Sequence, residues 1–296
     1  MKKTITVLLA ALVCSLSFAQ EKVAMGFASI PHDPVSLSMG GVSAVSNVAV
    51  RSIDDTKLDV NAAYAMWAPQ SGVSTSNINV NVFGKIGEKI GYDVEFANLS
   101  GKAYQLYSDT GIAAGTFKPA DMAIKAGVSY NILSNLSVGV NVNYLSSKLA
   151  SSASYSSVAA DAMVAALFGG FKIAAGVTNI GGKVKGNDGN SYGLPTAATV
   201  LGAYKVEAGE KSVVNIAAQI DYFLSAGVRA GFGAGYTFND LVSVRAGYCY
   251  GGKSVMPSFA SLGLGVKFSG FSINATYLTA SKTVSNTIMA GIGYSF

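Results

Sequence analysis

From about Gly72 to the end of the chain, apolar and polar residues alternate with period two in short segments, the pattern of strands with two different solvents on their faces rather than of helices. Over residues 135–148, Leu136, Val138, Val140, Val142 and Tyr144 share one face, while Ser137, Gly139, Asn141 and Asn143 share the other. The same split sets Ile90, Tyr92, Val94 and Phe96 against Asp93 and Glu95, and Met122, Ile124, Ala126, Val128 and Tyr130 against Asp121, Lys125 and Ser129. It recurs where Val214, Ile216, Ala218, Ile220 and Tyr222 oppose Asn215, Gln219 and Asp221. Val228, Ala230, Phe232, Ala234 and Tyr236 oppose Arg229 and three glycines, and Val242, Val244, Ala246, Tyr248 and Tyr250 oppose Arg245, Gly247 and Cys249. The final segment, residues 286–296, keeps Ile288, Ala290, Ile292, Tyr294 and Phe296 in phase.

Each charge in these segments falls on the polar face. A cationic side chain turned toward lipid near a bilayer midplane costs about 2–4 kcal/mol, so lipid on the apolar side fixes the phase of every strand. Fourteen segments of this kind begin near Gly72, Lys89, Gly111, Ala120, Asn135, Ala159, Phe171, Thr196, Val213, Gly227, Leu241, Ser258, Phe271 and Asn286. Those at Gly111 and Ala159 alternate least, which leaves twelve strands as the other count. The predicted fold class is all-β, a transmembrane antiparallel barrel spanning residues 71–296.

Connections after the fourth, sixth, tenth and twelfth segments are short, as at Asn239-Asp240 and Ser269-Gly270, and those after the fifth, seventh, eleventh and thirteenth are longer. Short turns belong on the periplasmic side and long loops outside. Residues 100–110 break the rule, forming a long connection on the side where a short one is expected. The longer loops, 147–157 and 180–195, are rich in Ser, Gly and Asn and are where an outside partner would be met. Tyr107, Tyr130, Tyr144, Tyr222, Phe223, Tyr236, Phe238, Tyr248, Tyr250, Tyr277, Tyr294 and Phe296 lie near predicted strand ends and fit interfacial girdles. Tyr294 and the terminal Phe296 also form a candidate C-terminal assembly signal, which implies the barrel-assembly machinery and outer-membrane lipid as partners.

The N-terminus places the chain in the export pathway. Lys2 and Lys3 precede an apolar stretch ending at Leu16, then Ser17-Phe18-Ala19, a small-x-small cleavage site, so residues 1–19 read as a signal peptide and the mature chain starts at Gln20. Val13 before Cys14 is unlike a lipid-attachment site. Residues 20–70 show no sustained alternation and carry Pro31, Pro34, Pro69, the doublet Gly40-Gly41 and the acidic pair Asp54-Asp55. The lumen of a barrel of this size is too wide for wall side chains alone to fill, so this stretch is expected inside it as a hatch, with a periplasmic extension as the alternative.

Composition then narrows the class. Only 12% of residues are charged and 50% are hydrophobic, too few charges for a soluble secreted β-protein, while no apolar run past Gln20 is long enough for a spanning helix. The net charge of +5, which loses two lysines with the signal, is spread without a basic cluster and argues against nucleic acid. Only Cys249 survives processing, so neither an intramolecular disulfide nor a cysteine metal cluster can form. His32 is the single histidine and falls in the expected hatch, which argues against a Ser–His or His–carboxylate hydrolase in the barrel; one histidine with no cysteine nearby is too few for a zinc site, and His32-Asp33 reads as a loop pair or a pH-sensitive latch. No enzyme activity and no cofactor are expected.

Gly231-Phe-Gly-Ala-Gly235 and Gly263-Leu-Gly265 superficially suggest phosphate loops, but they alternate on strands with no helix following. They mark crowded positions where a hatch approaches the wall. The polar faces together supply Asn79, Asn81, Asp93, Glu95, Lys125, Asn141, Asn143, Lys172, Asn215, Gln219, Asp221, Arg229, Arg245 and Lys267 to the lumen. With both charge signs present, this set is either a network holding the hatch or a solute path, and the network is the preferred reading.

Phe27-Ala-Ser-Ile-Pro31, Pro34-Val-Ser-Leu-Ser-Met-Gly-Gly41 and Tyr64-Ala-Met-Trp-Ala-Pro69 resemble the opening of the PorV/PorQ family, Bacteroidota relatives of FadL-type outer-membrane channels. In that family a Leu-x-Met-Gly-Gly stretch precedes an Asn-Pro-Ala element, replaced here by Ala68-Pro69-Gln70. Met39, Gly40, Gly41, Trp67 and Pro69 are therefore the candidate hatch motif. The likeness continues through Gly115-Thr-Phe117, Asp121-Met-Ala-Ile124, Ser129-Tyr130, Leu136-Ser-Val-Gly-Val-Asn141 and Gly176-Val-Thr-Asn-Ile-Gly181. Resemblance to FadL implies fourteen strands with an N-terminal plug. Resemblance to PorV and PorQ implies a protein-handling role in type IX secretion or surface attachment, with secretion components or exported cargo as partners. The alternative implied by FadL is a passive conduit for hydrophobic small molecules.

Overall fold

A sheet whose strands are apolar on one face and polar on the other is stable in lipid only if it closes, because an open edge would leave backbone N–H and C=O groups unpaired. Closure is achieved here by pairing the first wall strand with the last. The computed structural model describes residues 23–43, 46–67, 75–108, 110–151, 153–187, 189–252, 256–280 and 286–296. In chain order the strands are β1 (Leu58–Trp67), β2 (Thr75–Ile86), β3 (Ile90–Ser100), β4 (Tyr104–Tyr107), β5 (Ala113–Phe117), β6 (Ala120–Leu133), β7 (Leu136–Ala150), β8 (Ala153–Phe168) and β9 (Phe171–Gly181). They continue as β10 (Val184–Lys185), β11 (Ser191–Tyr192), β12 (Ala197–Glu207), β13 (Ser212–Phe223), β14 (Gly227–Phe238), β15 (Val242–Tyr250), β16 (Phe259–Phe268), β17 (Phe271–Ala280) and β18 (Thr287–Ser295).

Fourteen of these make one closed antiparallel barrel in the order β1-β18-β17-β16-β15-β14-β13-β12-β9-β8-β7-β6-β3-β2. The seam aligns Val60 with Tyr294 and Ala63 with Gly291. Side-chain phase follows the alternation: Val80, Val94, Ile124, Val140, Ile216, Phe232, Leu264 and Ile292 face outward and exposed, while Asn79, Asp93, Asn141, Gln219, Asp221 and Arg229 are buried inside.

The strand count agrees with the sequence, but one strand was misplaced. The segment at Gly111 is not wall; β4 and β5 pair only with each other, as a hairpin within the β3–β6 connection. The missing wall strand is β1, which lies inside the stretch assigned to the hatch, so the barrel begins at Leu58 and not near residue 71. This shift removes the anomaly at residues 100–110, because adding a strand before β2 moves the β3–β6 connection to the long-loop end. Residues 147–157 are not a loop either, since β7 and β8 run on to Ala150 and from Ala153. Tyr107 belongs to the hairpin, and Phe223 is buried in the lumen rather than facing the bilayer. The proposed signal peptide, Cys14 and Pro69 lie outside the described residues.

Residues 23–43 and 46–57 form the plug. It consists of a 3-10 turn, Gly26–Ser29, and two short helices, Pro34–Ser38 and Val48–Ser52. Asp33 caps the first helix, accepting from Ser36 N at 2.7 Å, and Asn47 caps the second, accepting from Ala49 N at 2.9 Å. The first helix lies against β15 to β18 and buries Leu37 among Ala63, Ala65, Trp67, Phe259, Leu278 and Met289. The second lies against β3, β6, β7 and β8, where Val50 and Ile53 meet Met163, Ala165, Ala174 and Leu201.

Candidate functional site: the plug and wall of the lumen

The plug touches the wall through two kinds of surface. On β14 to β16 the wall offers glycines, and the plug's own backbone fills the space their side chains would take. A Cβ on Gly233 would meet Met39 Cα and O at 2.6 Å, one on Gly231 would meet Gly40 O at 2.5 Å, and ones on Gly247 and Gly263 would collide with Gly40 and Ser38. Gly40 is constrained from its own side as well. Its φ is +71°, and a Cβ there would strike the Phe232 and Tyr248 carbonyl oxygens at 2.5 Å. Met39 and Gly40, which belong to the candidate hatch motif, thus sit where plug and wall backbones approach closely, whereas a Cβ on Gly41 would make only ordinary contacts with the Pro31 and Phe259 side chains. Trp67 does not join them; it belongs to the wall on β1.

On the other side the contacts are polar. Arg51, 5% exposed on the second plug helix, donates from Nη1 to Asn81 Oδ1 at 2.6 Å and from Nη2 to Asp59 Oδ2 at 2.5 Å, with its guanidinium 4.3 Å from the Phe83 ring centre. Asn131 Nδ2 donates to Ser52 O at 3.0 Å, and the Ser52 and Ser129 hydroxyls are in contact. Lower down, Lys172 Nζ holds Asp54 at 2.6 and 2.8 Å. A second anchor is built on β13 and β14. Asp221 accepts from Arg229 Nε at 2.9 Å, from Gln219 at 2.8 Å and from Thr199 at 2.7 Å. From that knot Arg229 Nη1 reaches Ser29 O at 2.5 Å, and Gln219 Oε1 accepts from Ser43 N and Oγ, both at 2.8 Å.

The polar residues expected in the lumen therefore fall into groups. Glu95 takes Lys125 as an ion-pair partner and accepts from Asn79 at 2.8 Å, while Asn141 and Asn143 both donate to Asp161. Asp93 lies in the same region of wall, 3.9 Å from Lys125. Gln219, Asp221 and Arg229 form the second anchor, and Lys172 joins the plug. Arg245 hydrogen-bonds Asn274 at 3.0 Å and Lys267 is exposed near the short-turn end; the structure brings neither into contact with the plug groups above. The reading from sequence missed Arg51, Asp54, Asp59 and Asp161. Arg51 and Asp54 lie in a stretch without periodicity, Asp59 on a strand whose alternation is blurred by alanines, and Asp161 in the weakest strand, although its alternation with Val158, Ala160, Ala162 and Val164 puts it inside.

Two cavities flank the plug. One of about 170 Å³ lies toward the loop end beside His32, Glu95, Lys125, Asn141, Asp161 and Arg229. One of about 950 Å³ opens toward the short-turn end past Arg51, Asn61, Arg245, Lys267 and Asn274. Asp33, Ser46 and Glu95 line both, so the cavities approach each other there. His32 Nδ1 faces Asn77 Nδ2 at 3.2 Å. Burial pushes the His32 imidazole below its ordinary value and the Asp33 carboxyl above its own. Above this polar floor, at the loop end, Met25 and Phe27 of the plug are buried among Leu99, Leu145, Ala159, Val184 and Leu194, an apolar nest. Ala24 N ties the plug's start to Gly193 O at 2.8 Å.

A closed fourteen-stranded antiparallel barrel is an architecture of outer-membrane proteins, and solved structures share this fold. The Ralstonia pickettii toluene transporter TbuX aligns at a TM-score of 0.61 and 12% identity over 91% of this chain and 99% of that one. The Pseudomonas putida toluene transporter TodX aligns at 0.55 and 13% identity over 94% and 99%, and the Acinetobacter baumannii outer membrane protein Omp33 at 0.51 and 12% over 81% and 98%. No protein-family model matches the chain, and no curated protein matches it by sequence.

Proposed function

We propose that this chain is a non-enzymatic outer-membrane protein, a FadL-like passive conduit for small hydrophobic molecules that enter at the loop end. The observation that carries the reading is the nest around Phe27. An apolar nest filled by the Phe27 ring and Met25 has the right chemistry for a monoaromatic hydrocarbon, and the polar floor beneath it gives such a molecule no reason to go further down the lumen. The resemblance in fold to two toluene transporters supports the same substrate class. The protein-handling role implied by the likeness to PorV and PorQ has no support beyond the motifs that suggested it. Tyr294, packed 4.8 Å from Phe271, and the exposed Phe296 remain our candidates for recognition by the assembly machinery.

The test is binding of toluene by the purified barrel together with uptake by cells that make it. Phe27→Ala should empty the nest and tighten toluene binding about tenfold, because an apolar void of this kind stays dry and takes up small aromatics. Phe27→Trp should block it. Unchanged binding in both variants, with secretion components or cargo recovered alongside the tagged protein from outer membranes, would move the function to protein handling.

A further inference from the structure

The barrel wall carries a row of paired positions running across four strands: Asp93 on β3 faces Gly127 on β6, Gly127 faces Asn141 on β7, and Asn141 faces Asp161 on β8. The next row is Glu95, Lys125, Asn143 and Ala159. Lys125 lies directly beside Glu95 in its own row and forms the ion pair there; the first row has two acids and no base.

The two acids of that row are treated differently. Asp161 accepts from Asn141 Nδ2 at 3.2 Å, from Asn143 Nδ2 at 3.0 Å and from the backbone N–H of Asn179 at 2.7 Å. Asn179 is held for this purpose at φ +54°, opposite a register shift between β8 and β9. Three donors satisfy the Asp161 carboxyl oxygens. Asp93 is 1% exposed, and neither of its carboxylate oxygens has a hydrogen-bond donor; the cation that reaches it, Lys125, is 3.9 Å away and committed to Glu95.

The orientation of Asn141 follows from this. Its amide nitrogen must face Asp161, so its carbonyl oxygen must face the other way, over Gly127 and toward Asp93. A Cβ on Gly127 would land on both Asp93 Oδ1 and Asn141 Oδ1. Two buried acceptors, 1% and 3% exposed at the residue level, thus converge over a missing side chain with no donor between them, and Asn143 Oδ1 nearby is also without a partner. Acceptor facing acceptor in a buried site is unfavourable unless something electropositive lies between them.

We propose that the space over Gly127 is a binding site for a monovalent alkali cation, coordinated by the Asp93 carboxylate and Asn141 Oδ1 and completed by water from the adjoining cavity. All the protein ligands are hard oxygens, which suits an alkali cation and not a transition metal. One carboxylate with no hydrogen-bond donor, its nearest cation committed to Glu95, calls for at most one further positive charge, which favours a monovalent over a divalent ion. Gly127 is the residue that leaves room. The bound ion joins β3 to β7 across β6 on the stretch of wall that carries the polar anchors of the plug, and so stiffens it.

The experiment is thermal unfolding of the purified barrel in sodium chloride against choline chloride at equal ionic strength, pH 7.5. Sodium should raise the midpoint by about 3 °C in a saturable manner. Asp93→Asn supplies an N–H donor to Asn141 Oδ1 in place of the ion, so it should unfold at the sodium-bound midpoint in either salt. Gly127→Ala should abolish the sodium effect without this gain. Crystals soaked in rubidium chloride should show an anomalous peak over Gly127. Equal midpoints of the unmodified barrel in both salts, or a sodium effect that survives in Asp93→Asn, would overturn the proposal. So would a midpoint in choline that rises to the sodium value on acidification alone, since a proton would then fill the gap.

Discussion

The plug is gripped on β14 to β16 by backbone lying against glycine, and on β1 to β9 and at the Gln219–Arg229 knot of β13 and β14 by ion pairs and hydrogen bonds. The first contact is steric and has no tolerance: Met39 and Gly40 occupy the volume that side chains at 233 and 247 would need. The second is electrostatic and is divided among several partners, so it weakens by degrees. The glycine side therefore fixes where the plug sits, and the polar side sets how firmly it stays.

The comparison is broken most severely from the glycine side. Gly247→Val forces a branched side chain into the Met39–Gly40 backbone, which cannot yield as a flexible side chain would, and overpacking of that kind costs about 1–3 kcal/mol or more. The expected outcome is a displaced plug in an intact barrel, read as increased single-channel conductance and protease cleavage of residues 23–57. An unchanged conductance would mean that the plug has a second seat.

A smaller effect is expected from Arg51→Ala, which strands Asp59 and removes the hydrogen bond to Asn81. With Asp59 at 24% side-chain exposure, the loss is about 2 kcal/mol, below that of a fully buried pair. Plug cleavage should become measurable while barrel unfolding stays as it was.

The smallest effect sharpens the comparison through pH. His32 faces Asp33 within the plug, Asn77 and Glu95 on the wall, and Lys125. Its imidazole is held below 6.5 chiefly by burial, partly offset by Glu95 and reinforced by Lys125. A depressed value means that the seated plug excludes the proton, so seating is independent of His32 above pH 6.5 and loses stability as pH falls below it. Asp33, raised above 3.8 by burial, acts in the opposite sense, gaining stability as pH falls toward that value. Protease access to the plug should rise between pH 7.5 and 5.5, and His32→Asn should flatten that rise. A rise that persists in the variant would assign the titration to another group.

How much of this was legible depended on periodicity. The wall strands from β6 onward could be read directly because lipid imposes a strict alternation, in which each charge marks the phase of its strand. β1 could not. Leu58-Asp-Val-Asn-Ala-Ala-Tyr-Ala-Met-Trp67 does alternate, with Val60, Tyr64 and Met66 outward, but three alanines and an adjoining irregular stretch blurred the contrast. The count of fourteen nevertheless matched, because the β4–β5 hairpin was taken for wall and β1 was left out. The glycine ladder on β14 to β16 was legible in kind, as crowded positions beneath a hatch. Its partner residues were not.

The sequence alone determined that the chain is a barrel of strands apolar on one face and polar on the other, because this follows from two-residue periodicity and composition. The tertiary structure alone decided the partners. That Arg51 pairs with Asp59 and Asn81, that Gly40 lies beneath Tyr248, and that Asp93 and Asn141 converge over Gly127 all depend on strand register and on where the plug comes to rest. Those contacts join residues that local patterns cannot relate, because closure of the barrel and seating of the plug are set by the whole chain at once.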